Sequence, residues 1–203
     1  MASTDASGAH APRITRESLM TLEAYARERP AFRARAMAHK RERTIHVGDH
    51  MTLLFEDELT IRYQIQEMLR IEKTFEDAGI ADELDAYNPL VPDGTNLKAT
   101  MLIEYEDEDA RRAALARLRG IEDRVFLRVA DQDQVFAIAD EDLDRETDEK
   151  TSSVHFLRFE LAPPMIAAFK RGASVTIGVD HPEYRVEVAL PEATRKSLAA
   201  DFA

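Results

Sequence analysis

The spacing of apolar residues changes period midway along the chain. In the first half they recur at three- and four-residue steps, the period of a helix face; from Leu97 onward they recur mostly at every second residue, the period of a strand. Thr15 is suited to cap a first helix, with Glu17 in its opening turn and Leu19, Leu22 and Tyr25 or Ala26 at helical spacing. Pro30, well placed at a first helical position, is expected to open a second helix that turns Phe32 and Met37 inward. Residues 44–47 and 51–55 are short β-type runs about Gly48-Asp49, which suits a hairpin turn. Residues 57–77 carry the longest helical pattern, with Gly79 as its expected C-cap. A short helix over 81–87 leads into a turn-rich loop with Asn88-Pro89 and Pro92-Asp93-Gly94.

In the second half, Leu97, Ala99, Met101, Ile103 and Tyr105 alternate as a strand. Residues 107–119 read as a helix ending at Gly120. Residues 125–129 and 135–139 read as a hairpin, and 154–161 as a further strand. Pro163 or Pro164 begins a short helix to Arg171. Residues 175–179 and 184–190 form a second hairpin around Asp180-His181-Pro182, and 192–201 close as a helix. Helices cluster early and strands late. The expected fold is therefore α+β: a single domain over residues 14–203, with a mainly antiparallel sheet and helices packed on it. Residues 1–13, small and polar, are expected to be a disordered tail.

Composition narrows the chemistry. The 203 residues, 44% of them apolar, suffice for one core and include no cysteine. Disulfides, thiolate-held iron–sulfur clusters and cysteine nucleophiles are thereby excluded, which fits a cytoplasmic protein. No apolar run approaches the roughly 20 residues of a membrane-spanning helix, so membrane insertion is not expected. A net charge of −12 argues against nucleic-acid binding, which needs a basic surface. The charge is also segregated. Residues 27–43 hold seven Lys or Arg and two acids, while residues 131–149 hold nine acids and one Arg. The basic block reads either as a dock for an anionic ligand or acidic partner, or as a solvated face that offsets the acidic remainder. Within the acidic block, Asp140, Asp142 and Asp144 alternate as in a calcium loop. That motif requires glycine where Arg145 stands and glutamate where Thr151 stands, so the calcium reading fails.

One acid is out of place on the long helix. Ile61, Ile65, Met68, Leu69, Ile71 and Phe75 make an apolar arc, and Glu72 falls near its middle. A carboxylate buried there needs a partner or a raised pKa. The strand Val-His-Phe-Leu-Arg-Phe-Glu, 154–160, offers His155 or Arg158, with His155 sharing a face with Leu157 and Phe159, and Arg158 a face with Phe156. A ligand site is accordingly expected from Glu67, Arg70 and Glu72 of the helix, Glu104, His155 and Arg158 of the sheet, and His181. Glu72, His155 and His181 are its candidate metal ligands. Arg70 or Arg158 could instead hold a carboxylate or phosphate. His46, Asp49 and His50 could form a loop metal site, and Asp180 could orient His181. His-Glu-x-x-His, Gly-x-Ser-x-Gly, phosphate-loop and Gly-x-Gly-x-x-Gly motifs are absent, so no catalytic residue is assigned.

Several stretches together resemble one family. They are Leu-Leu-Phe-Glu (53–56), Ile-Arg-Tyr-Gln-Ile-Gln-Glu-Met-Leu-Arg-Ile-Glu (61–72), Glu-Leu-Asp-Ala-Tyr-Asn-Pro-Leu-Val-Pro-Asp-Gly (83–94) and Lys-Ala-Thr-Met-Leu-Ile-Glu-Tyr (98–105). Ala-Ile-Ala-Asp-Glu-Asp (137–142), Lys-Thr-Ser-Ser-Val-His-Phe-Leu-Arg-Phe-Glu (150–160) and Gly-Val-Asp-His-Pro-Glu-Tyr (178–184) follow. Over residues 14–200 the chain resembles the bacterial DUF3501 family, a domain of unknown function; His46 departs from its pattern. The resemblance implies an association with a rubrerythrin-like di-iron protein and an iron–sulfur oxidoreductase, encoded nearby in many members, and hence with oxidative-stress metabolism. Two functions are expected from this: an accessory protein of such a redox system, or a small metal- or anion-binding enzyme with a Glu/His/Arg site between long helix and sheet.

Overall fold

The computed structural model describes residues 14–143, 145, 147 and 149–203; the expected N-terminal tail lies outside them. Six α-helices and two antiparallel sheets make an α+β fold among the described residues. The elements run α1 (Leu22–Glu42), β1 (Thr44–His46), β2 (Met51–Glu56), α2 (Glu58–Glu72), α3 (Asp77–Tyr87), β3 (Asn96–Ile103), α4 (Glu108–Arg117) and β4 (Val125–Val129). They continue with β5 (Val135–Phe136), β6 (Ile138–Ala139), β7 (Val154–Glu160), α5 (Pro163–Lys170), β8 (Val175–His181), β9 (Tyr184–Ala189) and α6 (Glu192–Ala199). The first sheet has the order β1-β2-β3-β7-β6 and the second β5-β4-β8-β9. Among the described residues no helix is long and apolar enough to cross a membrane.

Alternation along the strands builds the main core. Leu97, Ala99, Met101 and Ile103 of β3 turn inward with Leu157 and Phe159 of β7. They share one cluster with Val125, Leu127, Ile177 and Val179 of the second sheet and with residues of α4, α5 and α6. The other face of β3 carries Asn96, Lys98, Thr100 and Leu102. The early helices form two smaller clusters, one of Ile14, Leu19, Ile61, Ile65, Leu69, Ile80 and Val91, the other of Tyr25, Phe32, Ala36 and Tyr63.

Four local expectations are corrected. Pro30 does not open a helix; α1 runs through it. Its ring sits on the exposed side, where the carbonyl left without a partner can be hydrated. The long helix ends at Glu72, because Lys73 takes the left-handed conformation at φ 57°, and Gly79 falls inside α3. The run 135–139 divides between sheets. Phe136 pairs with Phe126 of β4, whereas Ile138 and Ala139 pair with β7, where the Asp140 N–H donates to the Phe156 carbonyl at 2.9 Å.

The fourth correction concerns Glu72, which is exposed, as are Ile71 at 63% and Phe75 at 71%. Glu72 points in the direction of Ile61 and Ile65, but it occupies the last turn, where that direction opens to solvent. Upstream, α2 is covered on two sides: Ile61, Ile65 and Leu69 face one cluster, and Tyr63 faces α1.

Candidate functional site

The seven residues expected to form one site do not converge. Glu67 accepts from Arg29 Nε and Nη2 at 2.7 Å each and from the Tyr25 hydroxyl at 2.7 Å, all on α1. Arg70 stands 3.7 Å from the same carboxylate. Glu104, at the end of β3, accepts from Thr52 Oγ1 at 2.6 Å. His181 is buried: Nε2 donates to the Arg119 carbonyl at 3.0 Å and Nδ1 accepts the Glu183 N–H at 3.2 Å. Both of its ring nitrogens are thereby used in holding a turn, so the turn reading of Asp180-His181-Pro182 prevails over ligation. Asp180 pairs with Arg124 and Arg185 and does not orient the imidazole.

The expected pairing of Glu72 with His155 or Arg158 is replaced by partners from 139–145. His155 is fully buried on β7, with Nδ1 2.6 Å from Asp140 Oδ2 and Nε2 3.0 Å from both the Ser152 carbonyl and Thr151 Oγ1. Thr151 passes its own hydrogen to Glu122 Oε2 at 3.1 Å. Both ring nitrogens are thus engaged inside the fold, Nδ1 with the Asp140 carboxylate and Nε2 with the Ser152 carbonyl and Thr151. Asp140 Oδ1 accepts the Phe156 N–H at 3.0 Å and faces Arg145 Nη1 at 3.1 Å.

Glu122, Asp140 and His155 are also the one group among the described residues whose ligand atoms lie close enough to share a metal ion, within 4.8 Å of one another. A metal there would take the place of contacts the ring nitrogens already make with Asp140, Ser152 and Thr151. As built, the network is a buried hydrogen-bonded clamp. His46 is outside any such group, with Nδ1 at 3.0 Å from Thr52 Oγ1, and His50 stacks on Tyr105 with Nδ1 at 3.1 Å from the Glu104 carbonyl.

The basic block is partly absorbed by the fold. Arg43 is 1% exposed; it donates to the Phe55 and Glu56 carbonyls and pairs with Asp201 at 2.5 Å. Burial pushes Asp201 up to about 6, against the pull of Arg43. Of the remaining cations in the block, Arg27, Arg33 and Arg41 stay on the exposed side of α1.

The concave site lies elsewhere. A cavity of about 580 Å³ opens between α3 and the turn after it, the outer face of β3 and β7, and residues 141–142. Its size falls in the range of small-molecule sites. Tyr87, Leu90 and Phe156 supply apolar wall, and Lys98, Arg158 and Glu83 the polar groups. Lys98 stands in register between Glu56 on β2 and Arg158 on β7. Arg158 is committed: it meets both oxygens of Glu141 at 2.8 Å and Glu160 at 2.7 Å, which raises its pKa further. The Lys98 side chain makes no hydrogen bond to a described residue, and burial together with Arg158 lowers its pKa despite Glu141. Glu83 Oε2 is buried without a hydrogen-bond partner; burial, and then the charges of Glu72 and Asp82, push its carboxyl up. The only other such oxygen among the described residues is Glu56 Oε2, on the residue opposite Lys98.

Sequence reasoning reached Arg158 and missed Lys98 and Glu83. In the alternation of β3, Lys98 looks like an ordinary outward position, and Glu83 like one more acid on an acidic helix. A faint signal was available: every residue lining the cavity falls in a stretch that carries the family resemblance.

The family model DUF3501, described as a protein of unknown function, matches residues 13–202. No curated protein matches the chain. A solved structure described as a novel protein of unknown function from Burkholderia pseudomallei, at 1.90 Å resolution, is 61% identical. It superposes with a TM-score of 0.90 over 95% of this chain and 100% of that one. The chain belongs to the DUF3501 family.

Proposed function

We propose that this protein binds a small organic molecule in the cavity between α3 and the first sheet. One observation carries the reading: Lys98 and Glu83 line one cavity, the Lys98 side chain makes no hydrogen bond to a described residue, and Glu83 Oε2 is buried without a hydrogen-bond partner. Buried polar groups are normally paired, and leaving one unpaired costs about 1–3 kcal/mol. A ligand that offers a partner to Glu83 removes that cost, and an acceptor on it gives the half-buried Lys98 side chain a partner as well. Tyr87, Leu90 and Phe156 suit an apolar body. This differs from the metal- or anion-binding site expected between the long helix and the sheet: it lies under α3, and of the expected residues only Arg158 lines it. The test is a thermal-shift screen of small carbonyl and carboxylate compounds. A compound that raises Tm in the wild type and loses its effect in Lys98→Met and Glu83→Gln supports the reading; binders indifferent to both variants overturn it.

A second reading has separate support. Ile71 and Phe75 are large apolar side chains exposed at the C-terminal end of α2, the kind of surface that marks a partner contact. The family association makes a rubrerythrin-like protein and an iron–sulfur oxidoreductase the proposed partners, in a cytoplasmic oxidative-stress system. Co-purification from the native host at low salt tests it. Retention of either neighbour, lost in Ile71→Ser/Phe75→Ser, supports the accessory role; retention unaffected by that variant counts against this surface.

A further inference from the structure

We propose that Lys98 is a nucleophilic amine that condenses with a small, uncharged aldehyde or ketone seated in the cavity beneath α3. The inference rests on the small-ligand reading of that cavity and adds the bond made there.

The choice of residue type is the first argument. Six of the 27 cations are lysines, the rest arginines. Arginine does not give up its proton in proteins, whereas a buried lysine does. Where cations serve structure here, arginine dominates: Arg29, Arg43, Arg145 and Arg158 hold the partly buried ion pairs. Lys196 pairs with Glu192 on the surface, and Lys170 holds the Phe202 and Ala203 carbonyls. Lys98 lines the cavity and holds nothing.

Its surroundings are the second argument. Lys98 is half-buried, with Arg158 directly across on β7. Burial and that like charge favour the neutral amine, while Glu141, Asp93 and Glu160 oppose them without reversing the outcome. A free amine is the nucleophilic form.

Glu83 supplies the third. Its unpartnered oxygen is buried, and burial pushes its carboxyl up, toward the form that can donate a proton. The walls select the class of carbonyl compound. Besides Glu83, the acids Asp85, Glu141 and Asp142 line the cavity, and Arg158 is already taken by two carboxylates. A phosphorylated or polycarboxylic carbonyl compound would meet like charge; a neutral one would not.

The step is balanced. The Lys98 nitrogen lone pair attacks the carbonyl carbon, and one of the two nitrogen hydrogens passes to the carbonyl oxygen. The carbinolamine then loses that oxygen as water, the second hydrogen coming from the acid Glu83, and the nitrogen gives up its own proton to restore it. Amine plus carbonyl becomes imine plus water, with no change of oxidation state.

The experiment is reductive trapping on the full chain with benzaldehyde and cyanoborohydride at neutral pH, read by peptide mass mapping. A lowered pKa raises the free-amine fraction at neutral pH, so Lys98 is expected to be labelled several-fold faster than Lys73 or Lys150. Lys98→Arg should remove that fast site, and Glu83→Gln should slow it while leaving the other lysines unchanged. Labelling of Lys98 no faster than Lys150 overturns the proposal. Benzyl alcohol, which offers an acceptor but no carbonyl, separates the two readings. Lys98-dependent binding of the alcohol without preferential labelling removes the imine and keeps the pocket; loss of both removes both.

Discussion

The Nδ1 of His155 lies 2.6 Å from the Asp140 carboxylate, and this buried contact anchors the wall of a cavity on the opposite face of the same strand. His155 faces the core side of β7, while Phe156 and Arg158 face the cavity. Asp140 is followed by Glu141 and Asp142, which line it. Asp140→Asn keeps the shape and removes the charge. Breaking a buried ionic pair costs about 3–5 kcal/mol, and a loss near 3 kcal/mol is expected in chemical denaturation. The Phe156 amide, which donates to Asp140, should exchange faster with solvent. A loss below about 1 kcal/mol would show that the clamp is not a major contributor.

Glu67 should give the fold a specific acid sensitivity. Hydrogen bonds from Arg29, and then from Tyr25, hold its carboxyl down at about 2, against an ordinary 4.5. A proton binds more weakly to the folded state, so the stabilisation is complete above about pH 4.5 and is lost as pH falls toward 2. At 1.36 kcal/mol per unit the ceiling is about 3 kcal/mol; partial exposure brings the expectation to about 2. Denaturation curves of wild type and Glu67→Gln should differ by that amount at neutral pH and converge in acid. A difference independent of pH would point to packing rather than charge.

Glu72→Gln should leave stability within about 0.5 kcal/mol of wild type, the usual range for an exposed position. Urea midpoints suffice to check it. A loss of 2 kcal/mol or more (about the cost of an unpaired buried group) would restore the buried-acid reading of the sequence.

Lys98→Met should raise stability by about 0.5–1 kcal/mol, because it removes a desolvated amine that holds nothing and keeps the apolar stem. Calorimetry of the two unliganded proteins reads the difference. Destabilisation of similar size would mean that the ammonium supports the sheet.

Gly48 turns the first hairpin at φ 77°, and a Cβ there would stand 2.6 Å from the Tyr184 hydroxyl. That hydroxyl donates to the Val47 carbonyl at 2.6 Å and accepts the His50 N–H at 3.2 Å, tying β9 to the hairpin. Gly48→Ala should cost about 1–3 kcal/mol through backbone strain and the displaced tyrosine. An unfolding midpoint equal to wild type would show that the turn relaxes freely.

Local order was legible where neighbours in sequence are neighbours in space. Apolar alternation located β3 and β7 and put His155, Leu157 and Phe159 on one face. Gly48-Asp49 marked the first hairpin, and the cysteine count removed whole classes of chemistry. These follow from side-chain period and backbone sterics, which act over a few residues.

The site needed the tertiary structure. Angular position predicted where Glu72 points, but not whether another element covers the last turn of α2. Asp140 became the partner of His155 only because residues 138–140 leave one sheet and join the other at β7. Lys98 became a cavity amine only when Arg158 was set across from it and α3 stood over the strand. Burial and charge pairing depend on contacts between residues distant in sequence, so the chain specified these side chains while the packing of its elements decided their chemistry.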